Sequence, residues 1–362
     1  MKHITCFTAN LCGGGAEHQL AILSNLLAEK GYKVTLVTYN NLPDHFDLNP
    51  KIERVFLNVD HHNSFTKQWI VSKFFWTHKT DCIISFRSVP NFILLAPMFF
   101  TRAPKIIVGE RNTTIRPSDR EKINYNVLYN RANYVVPNSY TQGRYLQSLN
   151  KRWSKRVVTI TNYTDIEMFS SASMPTNFDV IKIGVFARIF PQKNYVRFCE
   201  MVAKLKTKTN RKFKITWYGD RTEGEFIHGS NHIHELIKSF QIADVLEVKE
   251  AVKDVCNRMD EFHAMCLPSL YEGFSNALSE YISCGKAVLC SDVSDNSLMV
   301  EHNQNGFLFD PKDINSMCEA FLCFFELSEE HIRVMGEKSR KKAELLFNKE
   351  KFINSYIKLI ES

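Results

Sequence analysis

Along this chain, short β-rich runs alternate with stretches in which apolar residues recur every three or four positions. His3–Thr8 reads as a strand and leads through a glycine turn into a helix predicted from about Ala16 to Lys30. Leu20, Leu23 and Leu27, with Ile22 and Leu26, give that helix a wide apolar face, and Gly31 is placed to be its C′ residue. Further strands are predicted at Lys33–Tyr39, Arg54–Leu57, Asp81–Ser85, Lys105–Gly109, Tyr134–Pro137 and Val157–Thr161. Ser170–Asp179 (SSASMPTNFD) breaks the pattern with small, polar and proline residues and reads as an interdomain linker. The alternation then restarts, with strands predicted at Ile181–Ala187, Phe213–Trp217, Val245–Val248, Ala264–Pro268, Ala287–Ser291 and Phe307–Phe309. Two helical stretches, about Ser328–Phe347 and Lys349–Glu361, close the chain. Such alternation predicts parallel sheets covered on both faces, in one domain over 1–172 and a second over 178–347. Two of these facing each other make a cleft at the carboxyl edges of the sheets, where open α/β folds bind ligands.

Composition narrows the class. A chain of 362 residues suits two cores, and with 44% hydrophobic and 23% charged residues it leaves no room for a large disordered part. The longest apolar run, Phe92 to Phe100, contains Pro97 and falls well short of the ~20 residues that span a bilayer. The first residues read as a strand and not as a signal peptide, which points to a cytoplasmic protein. Ten cysteines show no CxxC pair, and Cys82, Cys199, Cys266 and Cys290 fall inside predicted elements, as expected of free thiols in a reducing compartment. His61–His62 and the set His228, His232 and His234 lack the further ligands a zinc site needs and read as solvated loop histidines. A net charge of +7 is too mild to indicate nucleic acid, but it suits a protein that meets anionic phosphates or an anionic membrane face.

Candidate chemistry sits just after predicted strands. The run Pro268-Ser-Leu-Tyr-Glu272-Gly273-Phe274-Ser275-Asn276-Ala-Leu-Ser-Glu280 follows a strand and opens a helix, with Ser275 and Asn276 suited to its cap. Backbone N–H groups at such a terminus can receive a phosphate or sugar oxygen. Glu272 and Glu280 are separated by roughly 12 Å at ~1.5 Å per residue, so one carboxylate can reach a hexose while the other reaches a ribose. A helix-start glutamate plus one solvated glutamate would give the same spacing. In Gly184-Val-Phe-Ala-Arg188-Ile-Phe-Pro-Gln-Lys193-Asn194, two cations flank a turn at the first strand-to-helix junction of the second domain, which suits a departing diphosphate. Ordinary surface cations are the competing reading.

Taken together, RxxPQKN, PSLYEGFSNALSEYISCGKAVLCSD and NGFLF (Asn305–Phe309) resemble the motifs of the retaining glycosyltransferases of family 4, of the bacterial surface-glycan type. The resemblance implies a GT-B fold, with two Rossmann-like domains facing across a cleft and a C-terminal helix, about 348–362, returning to the first domain. It implies that Arg188 and Lys193 bind the donor diphosphate, Glu280 holds the ribose, Glu272 contacts the transferred sugar, and backbone amides around Gly273–Asn276 complete the donor site. The expected reaction moves a hexose or N-acetylhexosamine from a nucleotide-diphosphate sugar, UDP above all, to a glycan or polyprenyl-diphosphate-linked acceptor, with retention and without a cofactor. A sugar-nucleotide epimerase or hydrolase on the same fold is the alternative.

In the first domain, Cys12-Gly13-Gly14-Gly15-Ala16-Glu17 resembles the family's GGAE loop near donor phosphates and acceptor. A nicotinamide-binding reading fails because His18 stands where a third glycine belongs and the second strand ends Thr38-Tyr39-Asn40, without an acidic residue. Gly109-Glu110-Arg111-Asn112 resembles another family motif, in which Arg111 meets acceptor or phosphate; an ordinary loop charge competes. Where many members carry a histidine after the fourth strand, this chain reads Ser85-Phe86-Arg87-Ser88, so Arg87 or His18 takes that side, or neither does. No Asp-x-Asp occurs, so Arg188 and Lys193, not a divalent metal, are expected to neutralise the leaving group. Finally, Arg144–Arg156 (RYLQSLNKRWSKR) and Lys67–Lys79 (KQWIVSKFFWTHK) interleave aromatic and basic residues, as peripheral membrane segments do. Helices with their apolar sides in the core are the other reading.

Overall fold

The computed structural model describes residues 1–59, 62–96, 104–169, 173–221, 227–252 and 254–362. His61, the end of the apolar run (residues 97–100) and the start of the expected linker (170–172) lie outside the described residues. The chain divides into two compact units, Met1–Tyr163 with Lys349–Ser362, and Thr164–Asn348.

The first unit runs β1 (His3–Thr8), α1 (Gly15–Glu29), β2 (Lys33–Thr38), β3 (Glu53–Phe56), α2 (Ser64–Thr77), β4 (Cys82–Phe86), α3 (Ser88–Leu95), β5 (Lys105–Glu110), α4 (Asp119–Asn126), β6 (Tyr134–Pro137) and α5 (Tyr140–Leu149). Among the described residues its sheet is six-stranded and parallel, in the order β3-β2-β1-β4-β5-β6. Helix α1 ends as its sequence implies. Gly31 takes φ +89°, its N–H reaches Ala28 O and the N–H of Tyr32 reaches Leu27 O, the two bonds that close a left-handed C-cap. One face of the sheet packs Phe7, Val37, Ile83 and Val108 against Val71, Leu94, Tyr129, Leu146 and Trp153, all buried.

The expected strand at Val157–Thr161 is not one. Val157 makes an isolated bridge to Val135, and Val158 N and Ile160 N donate to the carbonyls of Val135 and Pro137. The segment lies along the sheet edge as extended chain, with too short a ladder for a strand.

The second unit runs β7 (Ile181–Phe186), α6 (Tyr195–Lys208), β8 (Phe213–Asp220), α7 (Ile227–Ser239), β9 (Leu246–Glu250), α8 (Val255–Met259), β10 (Ala264–Leu267), α9 (Asn276–Ser283), β11 (Ala287–Ser291), α10 (Asn296–Met299), β12 (Gly306–Phe309), α11 (Ile314–Phe325) and α12 (Glu329–Leu346). Its sheet order, β12-β11-β10-β7-β8-β9, is that of the first unit read from the other edge. The buried strand residues Ile183, Val185, Ile215, Cys266 and Leu289 pack with Phe198, Trp217 and Phe321. His228, His232 and His234 lie exposed on α7 and not in a loop, because Ile233 and Ile237 turn one side of that helix into the core.

Helix α13 (Lys349–Glu361) returns to the first unit. Phe352 stacks on Tyr163 at 5.6 Å, and Lys105 Nζ donates to the carbonyls of Leu359 and Ile360.

Candidate active site

In each sheet the strand order reverses between two neighbours, β1 and β4 in the first unit, β7 and β10 in the second. Loops leaving such a pair diverge to opposite sides and open a crevice at the carboxyl edge. In the second unit Arg188, Lys193, Glu272, Gly273, Phe274 and Ser275 stand on the two loops that leave β7 and β10, and Asn276 and Glu280 on the helix that follows the second.

After β7, Arg188 is exposed on the turn, and Pro191–Lys193 form a single 3-10 turn. Asn194 then caps α6 in the left-handed region at φ +60°, a conformation that asparagine tolerates better than most residues. Its side chain donates to Pro311 O at 2.7 Å, which fixes the turn to the loop beyond β12. Two further bonds join this turn to the loop after β10: Leu270 N donates to Gln192 O, and Gln192 Nε2 donates to Tyr271 O, each at 2.8 Å. The result places Lys193 Nζ 2.5 Å from Glu272 Oε1, with only 15% and 10% of the two side chains exposed. Lys193 is thus not on an exposed turn, as its sequence context suggested; it is packed and paired.

Helix α9 begins beside this pair. Ser275 accepts from Leu278 N through its side chain and from Ser279 Oγ through its carbonyl. Gly273, Phe274 and Ser275 are buried, and the Phe274 ring meets Phe347 edge-on at 6.3 Å, so its side chain is taken up in packing. Glu280 is part-buried on α9, and among the described residues its carboxylate has no hydrogen-bond or ion-pair partner. Burial pushes this carboxyl up to about 7. Glu272 and Glu280 therefore differ in kind: one carboxylate is satisfied by a lysine, the other lacks donors.

The first unit has a parallel arrangement at its own reversal. Gly14 caps α1, and a Cβ there would lie 1.9 Å from Glu17 Oε2, so only glycine lets the glutamate fold back over the loop. Glu17 is buried and its Oε1 pairs with Arg87 NH1 at 2.5 Å, while half of the arginine side chain stays exposed. Arg87 holds φ +79°, an unusual value for a residue with a Cβ, and its N–H donates to Gly109 O at 2.9 Å. Gly15 is exposed in the first turn of α1; His18 stacks on Phe46 at 4.7 Å, and burial lowers its pKa.

Arg111 is placed differently. It is buried, lies 3.5 Å over the Phe86 ring and donates to Tyr356 Oη at 2.6 Å. It anchors α13 and does not face solvent beside Arg87. Neighbouring Glu110 accepts a hydrogen bond from Tyr129 and is pushed up to about 7 by burial. Among the described residues no three His, Cys, Asp or Glu side chains converge as a metal-binding set.

Residues 170–342 match the model of the family described as glycosyl transferases group 1. The chain is a glycosyltransferase with a group 1 domain in its second unit. Over 99% of its length it is 23% identical to the whole of a Campylobacter jejuni protein, the N-acetylgalactosamine-N,N'-diacetylbacillosaminyl-diphospho-undecaprenol 4-alpha-N-acetylgalactosaminyltransferase. Among solved structures it is similar to sucrose-phosphate synthase from Thermosynechococcus elongatus, with a TM-score of 0.85 at 16% identity over 100% of this chain and 98% of that one. HepE of Anabaena, solved with UDP and glucose, gives a TM-score of 0.83 at 17% identity with both chains fully covered. The glycosyltransferase thus has the GT-B fold. Two residues that tie the loop after β7 to those after β10 and β12, Gln192 and Asn194, had no role assigned from the sequence. The signal available was the asparagine directly after the lysine, where a left-handed cap is favoured.

Proposed function

We propose that this glycosyltransferase moves a hexose or N-acetylhexosamine from a UDP-sugar to a polyprenyl-diphosphate-linked glycan at the cytoplasmic side of a membrane, retaining the anomeric configuration and needing no metal. The observation that carries the donor half is the Lys193–Glu272 pair on stitched loops, with the partnerless Glu280 on the helix that follows. In this reading Lys193 and Arg188 offset the charge that grows on the departing diphosphate. Glu272 receives a sugar hydroxyl, and Glu280 accepts from the ribose diol, which supplies the donors it lacks. Amides around Gly273–Asn276 meet phosphate oxygens.

The departing phosphate takes the proton of the acceptor hydroxyl as the new glycosidic bond forms on the same face of the sugar. Gly14 and Gly15 serve the donor phosphates, and Glu17, His18 and Arg87 form the acceptor side, with Arg87 presenting the charge and Glu17 setting its direction. The Campylobacter relative, which acts on a diphospho-undecaprenol-linked sugar, and HepE, which was solved with UDP, support the two substrate classes. The transferase relatives also weigh against the epimerase or hydrolase alternative.

The test is a panel of nucleotide sugars scored by thermal stabilisation, followed by transfer to a synthetic polyprenyl-diphosphate sugar. At a hundredfold excess over the dissociation constant the true donor adds about 2.7 kcal/mol to the folded state. A panel in which no UDP-sugar stabilises the protein while another nucleotide sugar does would remove UDP, and release of free sugar with no transfer would favour the hydrolase.

A further inference from the structure

Helix α2 is apolar on both of its sides. Inward, Val71 is buried, the Phe75 ring meets Phe7 edge-on at 5.5 Å, and Gln68 Nε2 donates to Ile93 O at 2.7 Å. Outward, Phe65, Trp69, Lys73 and Trp76 recur at helical spacing along one stripe. Phe65 is 82% exposed, Trp69 52% and Trp76 55%, and Lys73 Nζ sits 5.3 Å from the centre of the Trp69 ring. A surface helix ordinarily carries polar residues at such positions. From His62 to Thr80 the sequence holds three lysines, Lys67, Lys73 and Lys79, and no acidic residue. As the crossover from β3 to β4, the helix starts at the carboxyl edge of the sheet, so its Phe65 end lies at the edge that carries Glu17 and Arg87.

We propose that the outer stripe of α2 docks the first unit onto an anionic lipid headgroup layer. Phe65, Trp69 and Trp76 enter the interfacial zone, where amphipathic rings are at home, and Lys73 and Lys79 meet lipid phosphates. This assignment rests on the reading that the acceptor is lipid-linked. A second copy of the chain fits the stripe less well. A stable protein pair buries about 800 Å² on each partner, more than the partly exposed side chains of this stripe offer. Two cation-bearing stripes would also repel each other on meeting.

The experiment uses the full chain with vesicles of phosphatidylcholine alone or mixed with phosphatidylglycerol. Of the four tryptophans, Trp153 and Trp217 are fully buried, so a blue shift of emission on binding reports Trp69 and Trp76. Co-sedimentation is expected with the anionic vesicles only and is expected to weaken with added salt. Trp69→Ser with Trp76→Ser should lower vesicle partition by about tenfold or more, and Lys73→Glu with Lys79→Glu should abolish the preference for anionic lipid. Melting curves establish that the variants fold, and both pairs should keep wild-type kcat on a water-soluble acceptor analogue. Absence of vesicle binding, equal binding by the tryptophan pair, or concentration-dependent self-association lost in that pair overturns the proposal. Wild-type vesicle binding by the tryptophan pair, beside transfer to a detergent-dispersed polyprenyl-diphosphate sugar, refutes the docking surface alone. Vesicle binding with transfer only to soluble glycans refutes the acceptor reading alone.

Discussion

Replacing Lys193 with alanine tests the proposed donor site at its most constrained point. The substitution leaves the Glu272 carboxylate in place with only 10% of its side chain exposed and its cation gone. Breaking a buried ion pair from one side costs about 3–5 kcal/mol, and the remaining exposure of both groups brings the figure to about 2–4 kcal/mol. In a unit of this size each kcal/mol lowers Tm by about 2–4 °C, so Lys193→Ala should melt several degrees below wild type. Turnover should fall by about 10²–10³, as for loss of one preorganised charge partner. Adding Glu272→Gln removes the stranded charge, so the double variant should regain most of the Tm, but the diphosphate still lacks its lysine and kcat should stay low. Calorimetry with steady-state kinetics on the wild type, both single variants and the double variant closes the cycle. A Lys193→Ala protein that melts like wild type refutes the burial argument. A double variant that regains turnover refutes the catalytic role and leaves Lys193 as a structural cation.

The other predictions rest on single observations. In the proposed role Glu280 accepts from the ribose as a carboxylate, so with its carboxyl at about 7 nucleoside diphosphate affinity should rise about tenfold from pH 6 to pH 8. Calorimetry in buffers of different ionisation enthalpy should show proton release on binding, lost in Glu280→Gln. The same raised pKa means that the folded state holds a proton the unfolded chain gives up. Its stabilising contribution is therefore full below about 4.5 and is lost as pH rises through about 7, a slope that Glu280→Gln should flatten in urea melts. Arg87→Ala and Glu17→Gln should each raise the acceptor KM while leaving UDP affinity within twofold, roughly the noise between neutral variants; loss of UDP binding instead would move the pair to the donor side. Transfer should continue in excess EDTA, and restoration by Mg²⁺ or Mn²⁺ of activity lost to EDTA would refute the metal-free reading.

Much of the fold was legible because strand and helix periods are local. His3–Thr8, Tyr134–Pro137, Ala287–Ser291 and Lys349–Glu361 fall where the pattern puts them. Val157–Thr161 misled because a β-branched run looks the same whether it completes a ladder or lies along an edge. The basic-aromatic segment Arg144–Arg156 misled for a related reason. Its Trp153 is fully buried and donates to Tyr125 O at 3.0 Å, and Leu146 is buried with it, so the ring that made the segment look membrane-seeking belongs to the core. In Lys67–Lys79 the same composition leaves two tryptophans exposed. Which partner a side chain meets across a long sequence separation was not legible. Neither the 79-residue span from Lys193 to Glu272 nor the 245-residue span from Arg111 to Tyr356 leaves a local trace.

The two ion pairs at the sheet reversals share a logic that neither motif reveals alone. Counting strands from the start of each unit, the second unit puts its cation on the loop after the first strand and its glutamate on the loop after the fourth, as Lys193 and Glu272. The first unit inverts this, with Glu17 after the first strand and Arg87 after the fourth. Because the strand order reverses at that point, these are the two loops that no helix crossover ties together, and an ion pair between them supplies the missing link. The pairs differ in what they leave over. Lys193 and Glu272 are both nearly buried, so a ligand must compete for charges already satisfied and gains most when its own charge grows, as it does on a departing phosphate. Arg87 is half exposed on a backbone held at φ +79°, so its free N–H groups can bind an anion at rest. The same topology thus yields one pair suited to a changing charge and another suited to a standing one, which is the division of labour that the proposed function asks of a reacting donor and a phosphate-bearing acceptor.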